Sequence, residues 1–397
     1  MYLSKKVVNM QPSQTLAAAA KAKELKDQGV EVLDLTLGEP DFTTPKAIEE
    51  AAIASIKNGS ASFYTPATGL VNLKQAIINR TKLDYGLVYQ MDEVLVGTGA
   101  KFVLYSLFQA LLNPSDEVLV PEPYWVSYVA QIELAEAKAV VVKTKLENQY
   151  KVTVDELNQQ LSRKTKALVL NTPTNPTGSV YTRQELESIG EWAVKNNIYL
   201  IADDIYAKLV YNGNVFTSIA SISKEIKEQS IVINGVSKAY SMTGWRIGYV
   251  LGNQKLIQQM AKIVSQSTSN PAAVSQYAAI EALNGSQADV EIMRQAFEER
   301  LNQTYPLLSQ LPGVKIEKPA GAFYFFPDIS ECLSICGYED VSEWVSDLLI
   351  EEHVAVVSGR AFGTDHHIRL SYATDIETLT EAIDRIGNFI DRKRNLK

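Results

Sequence analysis

The chain has 397 residues, enough for two or three domains and a large buried core. Hydrophobic residues make up 46% and charged residues 21%, an ordinary globular composition, while 38 Lys and Arg against 46 Asp and Glu give a formal net charge of −8. That sign disfavours nucleic acid and anionic membrane surfaces, the longest nearly apolar stretch (102–112) is too short to span a bilayer, and two cysteines with three histidines at no ligand spacing exclude a disulfide framework and a four-thiolate zinc site.

The opening M-Y-L-S-K-K-V-V-N-M lacks the apolar core of a secretory signal, so a cytoplasmic protein is expected, with two reduced thiols. A first helix is expected over 13–28, with Ser13 as its cap, four alanines at 17–20 favouring helix and Gly29 at its end. A β-type run at 32–37 ends in the loop signal G-E-P-D-F at 38–42. From residue 45 onward, helix-like segments (46–58, 70–83, 101–112, 124–135, 182–196, 254–267) alternate with short apolar runs (94–97, 118–120, 139–142, 167–170, 198–202, 231–233, 247–250). Unbroken apolar runs suit strands buried on both faces, and their alternation with helices predicts a parallel α/β sheet.

Near residue 284 the pattern changes. A long helix over 287–310 precedes strands at 314–317 and 322–326, a helix at 340–352, strands at 354–357 and 367–371, and a last helix at 376–392, which together predict a smaller α+β domain. The expected division is an N-terminal arm with part of the small domain (1–44), a large domain (45–289) and a small C-terminal domain (290–397). The closing D-R-K-R-N-L-K fits a solvated helix end that complements the helix dipole.

Ligands of open α/β sheets gather at the carboxyl ends of the strands, so the polar residues there carry the functional reading. In V-L-V-G-T-G-A-K (94–101) a strand enters a glycine turn and a helix, where the N–H groups of Gly99, Ala100 and Lys101 can hold a phosphate; a tight turn without a ligand accounts for the same residues equally well. N-T-P-T-N-P-T-G (171–178) presents two asparagines in a loop stiffened by Pro173 and Pro176. I-A-D-D-I-Y (201–206) ends a buried strand in two carboxylates, which either pair with a basic nitrogen or cap the following turn. In I-N-G-V-S-K-A-Y-S-M-T-G-W-R-I-G-Y (233–249), Lys238 follows a β-run among small residues, where desolvation makes an amine able to form an imine, and Arg246 suits a bidentate phosphate contact. Arg369, in H-I-R-L-S-Y-A (367–373), lies on a β-type run, a place where arginine is rare unless it binds an anion. A lysine for an imine, an acid 35 residues earlier for a pyridinium nitrogen and a phosphate cradle are the parts that pyridoxal phosphate requires.

With these motifs the sequence resembles the class I aminotransferases of the fold-type I pyridoxal-phosphate superfamily, above all the bacterial aspartate aminotransferase subgroup, over nearly its whole length from Pro12 to Leu370. The resemblance implies a large domain with a mostly parallel seven-stranded sheet flanked by helices and a smaller α+β domain. It implies Lys238 as imine-forming lysine and general base, Asp203 as partner of the pyridinium nitrogen, Tyr206 and Asn175 on the cofactor's phenolic oxygen, and Trp125 stacked on its ring. Gly99, Ala100, Lys101, Ser237 and Arg246 would lie around the phosphate, and Tyr64 would reach the phosphate of the other subunit of a homodimer. Arg369 and the backbone of Gly38 would bind the substrate α-carboxylate, with Lys101, Ser13 and Thr15 at the distal carboxylate of aspartate. Two departures from some relatives, Tyr128 for His and Gly235 for Ser, read as peripheral, and Gln11 in place of Lys argues against prephenate. The implied reaction is ping-pong transamination between L-aspartate and 2-oxoglutarate. The alternatives are a broad aromatic or alanine enzyme, an aspartate/prephenate enzyme, and a cysteine-sulfur lyase on the same fold. No metal, nucleic-acid or membrane partner is expected.

Overall fold

A computed structural model describes residues 1–8, 10 and 14–395, excepting the side chains of 5 and 14–16. The expected cap Ser13, and with it Gln11 and the side chain of Thr15, lie outside the described residues.

All seven apolar runs between residues 45 and 289 form one sheet. Its spatial order is Val94–Gly97, Gly248–Leu251, Ser230–Gly235, Tyr199–Asp203, Thr165–Asn171, Glu117–Glu122 and Lys138–Lys143. Gly248–Leu251 runs antiparallel to both neighbours and every other pairing is parallel. The central strands are buried on both faces, as their unbroken Val, Ile, Leu and Ala content demands. Helices cover both sides: one face packs Leu73, Ile77, Trp192 and Ala279, the other Val103, Leu107, Phe108 and Met260. Gly97, Gly248 and Gly235 lie side by side across three strands. A Cβ on Gly248 would stand 2.2 Å from the backbone nitrogen of Ala100, so this glycine lets helix Ala100–Leu111 start against the sheet.

A second core gathers the rest of the chain. Long helices Ala288–Ser309 and Ile376–Asn395 pack Phe297, Leu301, Ile386 and Phe389 against Phe323, Tyr324 and Trp344. Leu33 and Leu35 belong to this same core, because Leu33–Asp34 pairs in parallel with Val354–Ala355.

The structure corrects several expected elements. The run 354–357 is two strands: Val354–Ala355 pairs with Leu33–Asp34, while Val357–Ser358 pairs with Ile368–Ser371. The expected strand at 314–317 reduces to one bridge, Lys315 to Asp328, between Pro312 and Pro319, which have no N–H to donate. The helix expected from 124 begins at Ser127, leaving Tyr124 and Trp125 in a loop. Ala273–Asn284 is a helix that the apolar pattern did not reveal; it is buried almost all round and shows no polar stripe.

Candidate active site

Three neighbouring strands end together and set the site. The register places Asn171 opposite Asp203 and Asp203 opposite Ile233, so the loops after these strands open at one edge of the sheet. They border a cavity of about 410 Å³. Of the expected residues, Asn175, Asp203, Tyr206, Ser237 and Lys238 line it from these strand ends. Ala100, Lys101, Trp125 and Arg246 close one side, and Gly38 and Arg369 the other. Four cations and two carboxylates, Glu39 and Asp203, face this space in a chain of net charge −8, a local excess of positive charge suited to anionic ligands.

Lys238 is half-buried and donates from Nζ to the carbonyl of Gly38. Burial pushes its pKa down to about 8; Glu39 and Asp203 oppose that shift, while Arg369 and Arg246 add to it. Asp203 is 3% exposed, and burial pushes its carboxyl up to about 6 even though the Tyr128 hydroxyl, the Ile205 N–H and Lys238 favour its charge. Tyr128 donates to Asp203 Oδ2 at 2.6 Å and Ile205 N–H to Oδ1 at 3.3 Å. Tyr128, read from the sequence as peripheral, is thus in direct contact with the central carboxylate.

Arg369 is buried with a guanidinium that is only partly satisfied. Nη1 donates to Asn175 Oδ1 at 3.2 Å and Nη2 to the carbonyl of Thr36 at 2.8 Å, while Nε has no partner among the described residues. The group lies 4.4 Å from the ring centre of Tyr324 and 5.0 Å from that of Phe362. Burying a permanent cation this way is costly without an anion, so its free donors mark a carboxylate position. Tyr206 and Tyr324 bring their hydroxyls within 2.9 Å of one another.

At the far end, Gly99 precedes helix Ala100–Leu111 with φ 88° and ψ 156°, and a Cβ there would stand 2.2 Å from Arg246 Nη2. The first N–H groups of that helix, at Ala100 and Lys101, and the Arg246 guanidinium form a cradle for a tetrahedral anion, whereas the Gly99 N–H, expected to share in it, donates to Gly97 O at 2.8 Å. The Lys101 ammonium lies 4.9 Å over the Trp125 ring; burial lowers its pKa and Arg246 lowers it further.

Tyr64 is not brought to the cavity; it stands 92% exposed, next to Phe63 at 75%. Ser13 and the side chain of Thr15 lie outside the described residues. Sequence reasoning missed Tyr324, Glu39 and Thr243, which also line the cavity; Thr243 donates to Glu39 at 2.7 Å. Glu39 lay within the quoted G-E-P-D-F motif, whereas Tyr324 carried no local signal. Among the described residues no group of three or more His, Cys, Asp or Glu is placed to hold a metal ion, and no helix is long and apolar enough to cross a membrane.

Known proteins share this fold over nearly the whole chain. The chain is 54% identical over 390 residues to an asparagine–oxo-acid transaminase of Streptococcus mutans, covering 98% of this chain and 99% of the relative. It is 53% identical to an aspartate aminotransferase of Bacillus sp. strain YM-2, covering 98% and 99%. The solved aspartate aminotransferase of Rhizobium meliloti superposes with a TM-score of 0.94 at 35% identity, covering 99% of each chain. That of Thermus thermophilus with maleate superposes at 0.93 and 39% identity, covering 98% and 100%. Residues 30–386 match the family described as aminotransferase class I and II. Because that match runs through the strand ends, the anion cradle and the buried arginine alike, the chain belongs to the class I and II aminotransferases.

Proposed function

We propose that the chain is a pyridoxal-phosphate-dependent aspartate aminotransferase, passing the amino group of L-aspartate to 2-oxoglutarate to give oxaloacetate and L-glutamate. The observation that carries this reading is one cavity in which a buried, half-satisfied Arg369 faces the depressed amine of Lys238 and the buried carboxylate of Asp203. The unfilled donors of Arg369 and the anion cradle at Gly99 fit, respectively, a carboxylate and a phosphate.

Pyridoxal phosphate, when bound, supplies an electron sink for the charge that develops at the substrate Cα. Gly99, Ala100, Lys101, Ser237 and Arg246 would hold its phosphate, and Trp125 would lie against its ring. Asp203, oriented by Tyr128, would keep a proton on the ring nitrogen, and Tyr206 and Asn175 would bind its phenolic oxygen. Lys238 Nζ would be the group that holds the cofactor covalently. The free Lys238 amine would accept the Cα proton, a task that a pKa of about 8 suits near neutral pH. Arg369 and the Gly38 backbone orient the α-carboxylate. Lys101, with Ser13 and Thr15, meets the distal carboxylate.

We further place 1–44 and 290–397 in a small domain that carries Arg369 over a large domain, 45–289, because Leu33 and Leu35 share the C-terminal core. The exposed Phe63 and Tyr64 support a homodimer in which Tyr64 reaches the other subunit's phosphate. The buried Cys332 and Cys336, which form no disulfide, suit the cytoplasm. Lys238→Ala tests the assignment: the purified variant should lose the visible absorbance of lysine-linked cofactor and nearly all turnover, and normal turnover would overturn it.

A second reading, asparagine as amino donor, is favoured by the name of the 54% identical relative. The Lys101 ammonium prefers a carboxylate to an amide at the distal position, which ranks aspartate first.

A further inference from the structure

Beside the strand that carries Arg369 lies a part-buried contact that the proposed reaction does not use. Tyr150, in the loop between Lys138–Lys143 and Thr165–Asn171, brings its hydroxyl to 2.7 Å from His367 Nε2. Gln149 and Tyr150 are consecutive non-glycine residues at positive φ, 55° and 56°. Left-handed backbone costs about 1–2 kcal/mol per such residue and persists only where the surroundings fix it. Here Gln149 N–H donates to Leu146 O at 2.7 Å, Tyr150 N–H to Lys145 O at 2.9 Å, and Ser179 Oγ to Gln149 O at 2.6 Å. The loop is held in this shape, and the shape aims the hydroxyl.

His367 is 9% exposed, and its ring stacks on Phe326 at 4.8 Å and 7°. Nδ1 has no partner among the described residues, which leaves Tyr150 as the ring's polar contact. Burial pushes the imidazole pKa down to about 4, so the ring is neutral at working pH. His367 directly precedes strand Ile368–Ser371, and side chains alternate along a strand, so His367 and Arg369 project from the same side. A second contact crosses at the same place: Tyr124 N–H donates to Phe362 O at 3.2 Å, and the Phe362 ring lies 5.0 Å from the Arg369 guanidinium.

We infer that Tyr150 and His367 form a strut between the sheet and the strand that carries Arg369, and that Tyr150 is a positioning residue for the substrate α-carboxylate. The strut fixes the height of strand Ile368–Ser371 over the cavity, and hence the distance of the bound carboxylate from Lys238. The inference rests on reading Arg369 as the carboxylate site.

Tyr150→Phe removes one hydroxyl and keeps the ring edges against Phe326 and His367. In the cofactor-loaded enzyme, KM for aspartate and the dissociation constant of maleate, titrated directly, should each rise about threefold to tenfold, the effect of one lost buried hydrogen bond. The value of kcat should change less than about twofold, and the thermal midpoint should stay close to that of the parent. His367→Phe should give the same rise, and the double variant should be no worse than the larger single change. Unchanged maleate affinity in a folded Tyr150→Phe protein, or fully additive effects in the double variant, overturns the strut. Arg369→Lys separates the two readings: if it weakens maleate and Tyr150→Phe does not, the strut alone fails; if neither does, the carboxylate assignment fails with it.

Discussion

Asp203→Asn should make the cofactor-free protein more stable while disabling it. The native carboxyl has its pKa raised from 3.8 to about 6 by burial. Between those values the folded chain holds a proton that the unfolded chain releases, so this group's favourable contribution is complete below pH 3.8 and is lost as pH rises through about 6. At roughly 1.4 kcal/mol per pH unit, the ionised carboxylate costs the fold up to about 3 kcal/mol at pH 8. Asparagine does not titrate and escapes that cost. It has one acceptor oxygen for two donors, Tyr128 O–H and Ile205 N–H, and imperfect pairing returns about 1 kcal/mol. The net expectation is a gain of about 1–2 kcal/mol at pH 8 that disappears at pH 4. Urea unfolding of cofactor-free parent and variant at the two pH values measures it, alongside transamination of the reconstituted proteins, which should fall at least about a hundredfold. An equal stability difference at both pH values would refute the buried-charge argument, and retained turnover would refute the role of Asp203 at the ring nitrogen.

Gly99→Ala places a methyl group 2.2 Å from Arg246 Nη2 at a backbone conformation that only glycine accepts readily. Cofactor affinity, followed by quenching of tryptophan fluorescence, should drop at least about tenfold, because both the strain and the displaced guanidinium act on the phosphate site. Lys101→Gln should lower kcat/KM for aspartate by roughly ten- to a hundredfold through loss of a charge-assisted contact, and should lower it much less for asparagine and alanine. Equal losses on all three substrates would remove Lys101 from the distal-carboxylate site.

Much of this architecture is legible in the sequence because the central strands carry their own signal. Runs such as A-L-V-L (167–170) and L-I-A (200–202) are apolar on both faces, and the polar residues that end them, Asn171 and Asp203, line the cavity. What escaped notice depends on distant partners. Tyr324 meets Tyr206 across 118 residues of sequence, and nothing near Phe323 or Phe325 distinguishes it from a core aromatic. Tyr128 sits on helix Ser127–Leu134 among apolar neighbours and becomes functional only because its hydroxyl faces a carboxylate 75 positions away. Helix Ala273–Asn284 was hidden for the opposite reason: small residues pack it between Lys46–Lys57 and Val71–Tyr85, so its sequence has no wet face for periodicity to reveal. The division of 354–357 into two strands follows from Leu33–Asp34 arriving as an edge partner, a pairing that no local pattern encodes.

That pairing also sets an order of events during synthesis. The seven-stranded sheet can close as soon as Leu251 has emerged from the ribosome, since all its strands precede that point. Leu33 and Leu35 must wait, with their apolar side chains unpartnered, until Val354 and the helices around it have been made. The nascent chain thus carries an early-made sticky segment through most of its translation, and shielding by a holding chaperone would matter most for those few residues.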